Sequence, residues 1–483
     1  MIILARAPFL AILVGLTAML ALYDRAAYLS ALAAPVVLPL IALLVTFGVM
    51  ASSFSEELKG QWHIAAIVAV CVLVSSLWII FSLARTSAAP IPPSIDTVGI
   101  VVESRPWGRG SVAAVQTPQG GFLLRLPLDA LADGDVIRVE GNTEPFSSDP
   151  GSAFREDRFW KARGVTARLT SFRIEHADYY GPAWNIHRWR NTLHLSLTMN
   201  MPRLTGAYLN AVWTGKRDFM LDRAHRVWGT SHILAVSGFH VGVAIAAISF
   251  MFKRGKWRVP LLSLVLWFYI LLTGAPASAV RAGLMLQAGL LGELVGRPGS
   301  SINSVSLAAV FLLLISPFWF WDLGWRLSVT AALAIAVTFE RWGSFGWRTC
   351  IFMNAMIWLG TFPQVSWTFG ETPLVGLLTN LVGPQFFGIA FSTASAAAAL
   401  FLLGVPFSWL LVWASEGTFY LWGVLADALA SLIPWQLSWS PLVAYCCATL
   451  FIMFTCRALF VPWRNVAVLS PLGGLSAYVL FVV

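Results

Sequence analysis

Apolar runs of membrane-crossing length, separated by short polar breaks, occupy most of this 483-residue chain. About 20 consecutive apolar residues cross a hydrocarbon core, so the pattern predicts helices in a bilayer. Three runs open the chain, at about 8–22, 29–51 and 62–84, broken by Asp24 and Arg25 and then by SFSEELKGQW. A linker, RTSAAPIPPSID, follows; its proline-rich, extended character marks a boundary. Beyond it the periodicity changes. TVGIVVES, SVAAVQT, GFLLRL, DVIRVEGN and GVTARLTSFRIE are short β-prone runs punctuated by Gly, Pro and Asp. Some five strands in about 80 residues predict a small OB-like barrel, a fold that often holds oligonucleotides without proving that it does.

Residues 183–226 interleave aromatic and aliphatic residues with bases and read as amphipathic and interfacial. From 232 onward apolar stretches recur at about 232–252, 259–275, 277–294, 305–321, 324–339, 349–369, 385–404, 406–428, 440–456 and 466–483. Pro276, Pro317, Pro363, Pro373 and Pro384 break several of them; at membrane depth this is tolerated where protein or a watery cavity covers the freed backbone. The expected architecture is a polytopic α-helical membrane protein of about 13 apolar segments. Three helices fill 1–84, an inserted extracytoplasmic OB-like β domain 95–180, amphipathic interfacial helices 183–230 and a transmembrane domain 231–483.

Composition agrees: 58% of residues are hydrophobic and 11% charged, far from a soluble enzyme, where about a quarter are charged. The net charge of +9 matters only once mapped. Ten bases oppose twelve acids over 95–180, so the barrel is no basic clamp; over 183–226 seven bases oppose two acids. Placing the N-terminus in the cytoplasm puts the loops at 52–61, 253–258, around Arg297, 340–348 and 457–464 inside, as the positive-inside rule asks of short basic loops. The basic zone at 183–226 then lies outside, where orientation does not call for it. Arg6 precedes an apolar stretch without an evident cleavage site, so an uncleaved first span is expected. The five cysteines sit in or beside apolar runs and predict no disulfide framework.

Few residues invite chemistry. Ser231, His232, Ser237, Gly238 and His240 head an apolar helix. His232 and His240 stand about 80° apart on a helix and no local acid completes a triad, so hydrolase chemistry is poorly served. These groups either cap and pack helices or line a passage. Arg281 lies within an apolar helix, which costs about 2.5–3.5 kcal/mol, so it must face protein or water. Asp322 with Arg326, and Glu293 with Arg297, are i,i+4 pairs that can neutralise each other. Glu416 and Asp427 fall within about 20° on one helix face and can share a cavity. No phosphate-binding GxxxxGK[ST] loop, HExxH motif or clustered metal ligands occur, so no catalytic residue, metal or cofactor is expected.

With those residues in view, the chain resembles the ComEC competence-protein family, inner-membrane channels for single-stranded DNA. SHILAVSGFHVG is similar to that family's core, with Phe239 where Leu is usual. SAVRAGLM, GRPGSSINSVSLAAVFLLLISP and DLGWRLSVTAAL resemble further elements; Trp325 and Arg326 replace the usual Phe and Gln. FPQVSWTFGETPLVGLLTNLVGPQ carries the Pro, Gly and Asn of another, as Pro363, Gly370 and Asn380, and PGSAFREDRFWKARGV resembles a strand connection in the barrel. Many members carry a C-terminal metallo-β-lactamase-like nuclease domain, and none is expected in this sequence.

The resemblance implies a non-enzymatic channel in the bacterial inner membrane that admits single-stranded DNA to the cytoplasm during natural transformation. It implies a DNA path along Arg281, Ser231, His232, Ser237, His240, Asp322, Arg326, Asn380 and Glu416. Arg188, Arg190, Lys216, Arg217, Arg223 and Arg226 would contact phosphates, and Trp184 and Trp189 would stack bases. Moving each phosphate toward a negative interior is opposed by about 2.3 kcal/mol per 100 mV, so a separate cytoplasmic ATPase or helicase must drive it. A periplasmic or surface DNA receptor and a separate nuclease complete the expected partners. Two other readings remain: a membrane transferase acting on a lipid-linked anionic substrate, and a small-molecule transporter with a midplane site.

Overall fold

The computed structural model describes residues 8–23, 34–51, 62–128, 130–147, 154–176, 185–251, 257–295, 300–343, 346–459 and 461–482. Helices α1 (Pro8–Tyr23), α2 (Ala34–Ala51) and α3 (Trp62–Ala88) open it. Their apolar faces join Ala309, Leu312 and Leu313 of a later helix in one core.

The barrel follows: β1 (Ser94–Trp107), β2 (Gly110–Thr117), β3 (Gly120–Leu126), β4 (Val136–Pro145), the short helix α4 (Glu156–Lys161) and β5 (Val165–His176). It closes in the order β1-β2-β3-β5-β4, with β4 returning to β1. Only β3 and β5 pair in parallel. Closure rests on β1, which spends Ser94–Ile100 on β4 and Ile100–Trp107 on β2. A register shift between Val101 and Glu103 supplies the local twist such a change of partner needs. Alternate residues fill the barrel: Val101, Ala113, Val115, Phe122, Leu124, Ile137, Val139 and Ala167 are buried together. The intervening Val112, Ala114 and Leu123 lie under Trp160 of α4. Strand β2 is thus covered on both faces, which accounts for its unbroken apolar run.

Three short helices connect barrel and bundle: α5 (Ile186–Asn200), α6 (Arg203–Trp213) and α7 (Phe219–Val227). At about 1.5 Å per residue none reaches across a bilayer. Asn185 and Asp218 cap α5 and α7 by accepting backbone N–H bonds. Inside this segment His225 is fully buried, with Nε2 2.7 Å from the Tyr208 hydroxyl and Nδ1 2.9 Å from that of Thr230. Burial pushes its pKa down to about 3. The unfolded chain takes up this proton below about pH 6.5 while the folded chain refuses it. Stability is therefore fully present above pH 6.5 and falls as pH is lowered toward 3, by about 2 kcal/mol at pH 5. The melting temperature of the detergent-purified protein should drop between pH 7.5 and 5, and His225→Gln should flatten that dependence.

Ten helices complete the described chain: α8 (Gly238–Met251), α9 (Arg258–Leu272), α10 (Ala277–Val295), α11 (Ser301–Ile315), α12 (Leu323–Trp342), α13 (Trp347–Phe369), α14 (Gly376–Leu402), α15 (Ser408–Leu432), α16 (Pro441–Ala458) and α17 (Trp463–Val482). They correspond to the ten predicted apolar stretches. Among the described residues, four helices are long and apolar enough to cross a membrane: Ala65–Ala88 within α3, then α12, α14 and α16. The chain is a membrane protein rich in apolar helices. A two-stranded sheet pairs β6 (Glu371–Pro373) with β7 (Gln436–Ser438) between helices.

The barrel docks on one end of the bundle, where α1 finishes and α10, α12 and α14 begin. Tyr23 meets Trp321 at this end, whereas the start of α1 lies at the other, with Phe9 N–H donating to Asn303 at the start of α11. Arg258, Arg341 and Arg457, at the far ends of α9, α12 and α16, stand opposite the barrel.

Candidate functional site

Two ionic nodes seat the barrel. In the first, Asp133, 2% exposed in the turn before β4, accepts from Ser104 N–H (2.6 Å) and from Nη2 (2.8 Å) and Nε (3.2 Å) of Arg190. Lys216 Nζ lies 3.2 Å from the same carboxylate. Arg190 also donates to the Val102 carbonyl at 2.8 Å and packs against Gly274, in the α9–α10 turn at φ +84°. A side chain there would displace the guanidinium and would strain the backbone. In the second node Arg163, just past α4, donates to Asp322 at 2.9 Å, while Asp322 also caps α12 by accepting from Trp325 N–H. Trp319 Nε1 donates to the Ala162 carbonyl beside it.

These contacts correct three sequence readings. Arg190, 6% exposed, and Lys216 are held by Asp133 and fasten the barrel rather than present charge to phosphate. Asp322 does not serve Arg326 alone: it is paired with Arg163, and Arg326 stands within its electrostatic reach. Glu416 and Asp427 do not share a cavity. Glu416 caps α6, accepting from Leu204 N–H (3.0 Å), Thr205 N–H (2.7 Å) and the Thr205 hydroxyl (2.9 Å). Asp427 accepts from Trp228 Nε1 at 2.8 Å. One face of α15 therefore anchors both ends of the α6–α7 segment. Glu416→Ala should cost about 1–3 kcal/mol, the range for losing charge-assisted bonds to buried donors, readable as a lower melting temperature.

The other predicted residues separate into surface and interior. Arg188, Arg217, Arg223, Arg226 and Trp189 are exposed on α5 and around α7. Arg217 and Arg226 share Asp222, at 3.3 and 2.8 Å; Arg223 has no ion pair among the described residues. Trp189 leans on Phe268 of α9. Trp184 and Arg297, and the side chain of Glu293, lie outside the described residues. Asn380 donates to the Gly229 carbonyl at 3.2 Å, and Thr379 donates to that of Trp228 at 2.8 Å, so α14 grips the turn leading out of α7. Ser231 and the exposed His232 occupy the 3₁₀ turn that follows.

Ser237 and His240 meet at the head of α8, and Arg281 comes up to the neighbouring Gly238. His240 Nδ1 accepts from Ser237 N–H at 3.2 Å, and its buried Nε2 has no partner among the described residues. Arg281, 5% exposed on α10, donates from Nε to the Ser328 hydroxyl (2.9 Å) and from Nη1 to Met285 Sδ (3.1 Å). Among the described residues no carboxylate stands within ion-pair distance of it. A buried cation with neutral neighbours is unstable by several kcal/mol unless an anion or water completes it.

Sequence reasoning passed over a further feature on the barrel. The Arg105 guanidinium lies 4.8–5.1 Å from the ring centres of Trp107, Phe159 and Trp160, and Arg163 lies 3.7 Å from that of Phe159. Phe154 is exposed against Trp107 and Phe159. The signal was present as bases interleaved with Trp and Phe, but in two segments 50 residues apart that only closure of the barrel unites.

Comparison with known proteins is decisive for the family. The profile described as Competence protein matches residues 215–465, more than half of the chain and all of α8–α16. The chain belongs to this family. One relative, ComE operon protein 3 of Bacillus subtilis (strain 168), is 29% identical over 212 residues, covering 42% of this chain and 27% of that protein. An uncharacterized protein of Aquifex aeolicus (strain VF5) is 25% identical over 181 residues, 38% of this chain and 44% of its own length. The matches thus span less than half the length of either relative. No solved structure matches. Arg281 and the head of α8 fall within the competence profile, whereas the barrel, with Asp133, and Arg190 precede it.

Proposed function

We propose that the protein is a conduit for single-stranded DNA across the bacterial inner membrane during natural transformation, with its N-terminus in the cytoplasm and the barrel outside. Membership of the competence family supports a role in DNA uptake. The observation that carries the finer reading is Arg281: a guanidinium with no carboxylate partner among the described residues, placed just below the end of the bundle on which the barrel sits. Such a charge suits a passage for anions, where a fixed cation lowers the barrier to each phosphate.

The barrel closes in the order β1-β2-β3-β5-β4; as an OB-like domain, its Arg105–Trp107–Phe154 face would offer stacking surfaces that tolerate any base. Arg188 and Arg223 on the connecting helices would gather phosphates, with strong salt dependence from counterion release. The α1–α3 and α8–α17 helices would supply about 13 membrane segments, several shorter than a full crossing. The strand would be pulled by a separate ATPase or helicase, fed by a DNA receptor outside and supplied by a separate nuclease; the chain itself would transport without catalysing.

The test is labelled duplex DNA offered to competent cells lacking this gene. Label should still reach the cell surface, and the internalised strand should fall to background and return on complementation. Undiminished cytoplasmic label in the deletion strain would refute the reading.

A further inference from the structure

The interior end of this route has a more specific design. Helix α8 begins at Gly238, and the first N–H groups of a helix have no acceptor within it and carry the positive end of its dipole. Ser237 N–H is satisfied by His240. Gly238 and Phe239 N–H have no acceptor among the described residues. Arg281 approaches the same point from α10: a Cβ built on Gly238 would lie 3.4 Å from Nη2 of the guanidinium and 3.2 Å from Ala282 Cβ. Ser328 and Met285 take the other two nitrogens, leaving Nη2 without an acceptor among the described residues although Arg281 is buried. A helix start and a desolvated guanidinium converge here with no negative group of the described residues between them. Gly238 keeps the approach open, and the Ser237 hydroxyl stands 3.2 Å from His240 Nδ1 beside it.

We propose that this convergence is a seat for one tetrahedral oxyanion, held by Arg281 Nη2, the start of α8 and the Ser237 hydroxyl. Resting on the conduit reading, its occupant in transport is a phosphodiester group of the passing strand. Helix starts bind phosphate readily through such N–H groups, and a guanidinium adds a directed, charge-assisted bond. Arg281 lies four residues into α10, about 6 Å below the barrel-facing end, so a strand leaving the barrel reaches it below Arg190, whose charge is already taken by Asp133. A seat at one point passes a polymer phosphate by phosphate without reading its bases.

The full chain in uncharged detergent micelles is titrated with inorganic phosphate while thermal unfolding is followed by tryptophan emission. A ligand bound to the folded state raises the melting temperature in proportion to ln(1 + [L]/Kd). Phosphate, but not chloride, should raise it saturably; Gly238→Val should weaken the apparent affinity at least tenfold, and Arg281→Gln should abolish the shift. Arg173→Gln, an exposed barrel base, should leave it unchanged. Should Arg281→Gln fail to fold, Gly238→Val and Arg281→Lys carry the test. A shift that grows without saturation and persists in both Arg281 and Gly238 variants is a general salt effect and overturns the seat, as does no shift at all. A short oligodeoxynucleotide should compete with phosphate. Competition by anionic-lipid micelles alone keeps the seat and refutes the DNA conduit; oligonucleotide binding that ignores phosphate and both variants keeps the conduit and refutes the seat.

Discussion

Arg281→Ala is expected to lower DNA uptake by about 10- to 100-fold and to leave the protein as stable as before. Both halves follow from the partners of this residue. A charge-assisted contact worth about 1.5–3 kcal/mol to a passing phosphate corresponds to roughly one to two powers of ten in rate. Yet removing it leaves no carboxylate orphaned, because its described partners are the Ser328 hydroxyl and Met285 sulfur. Taking an unpaired charge out of an apolar site relieves a desolvation penalty. Arg281→Lys keeps the charge but loses the planar fork and should fall between. Uptake of labelled DNA and the melting temperature of each variant check the two halves together. A large loss of stability with Arg281→Ala would show that the residue is a structural tether.

Asp133→Ala should behave in the opposite way, lowering stability by about 3–5 kcal/mol, the range for breaking a buried ion pair by removing one member. It strands Arg190, which is buried between the barrel and the α9–α10 turn, and releases Lys216. Uptake should fall as the barrel loses its seat above the bundle. The double variant Asp133→Ala/Arg190→Met should recover much of the stability, since the uncompensated charge is gone, while uptake stays low. Melting temperatures of the four proteins form a thermodynamic cycle. A coupling near zero between positions 133 and 190 would mean that this node does not hold the barrel.

The contrast between these residues shows what the sequence reveals. Arg281 stands out because a lone base in the apolar run around ASAVRAGLMLQAGL has no surface explanation. The barrel was legible from Gly and Asp turns between β-prone runs, and the strands fall at 94–176. The ten later helices were legible from length and apolarity. The node at Asp133 was hidden, since an acid in LADGD looks like any exposed turn residue, and its partner Arg190 lies 57 positions away. Counting charge over 183–226 alone therefore made Arg190 and Lys216 look free. Glu416 was misjudged for the same reason: helical geometry places it on a face but does not say that the start of α6 docks there. Long-range ion pairs are properties of the assembled fold.

The most direct test of the central claim, that the strand passes the head of α8, is site-specific photocrosslinking in competent cells. A photoreactive residue at Ala282 or Ser328, beside Arg281, should capture labelled transforming DNA during uptake, whereas one at the exposed Leu307 on α11 should not. Adducts confined to the barrel, with none at either interior position while uptake proceeds normally, would contradict the account.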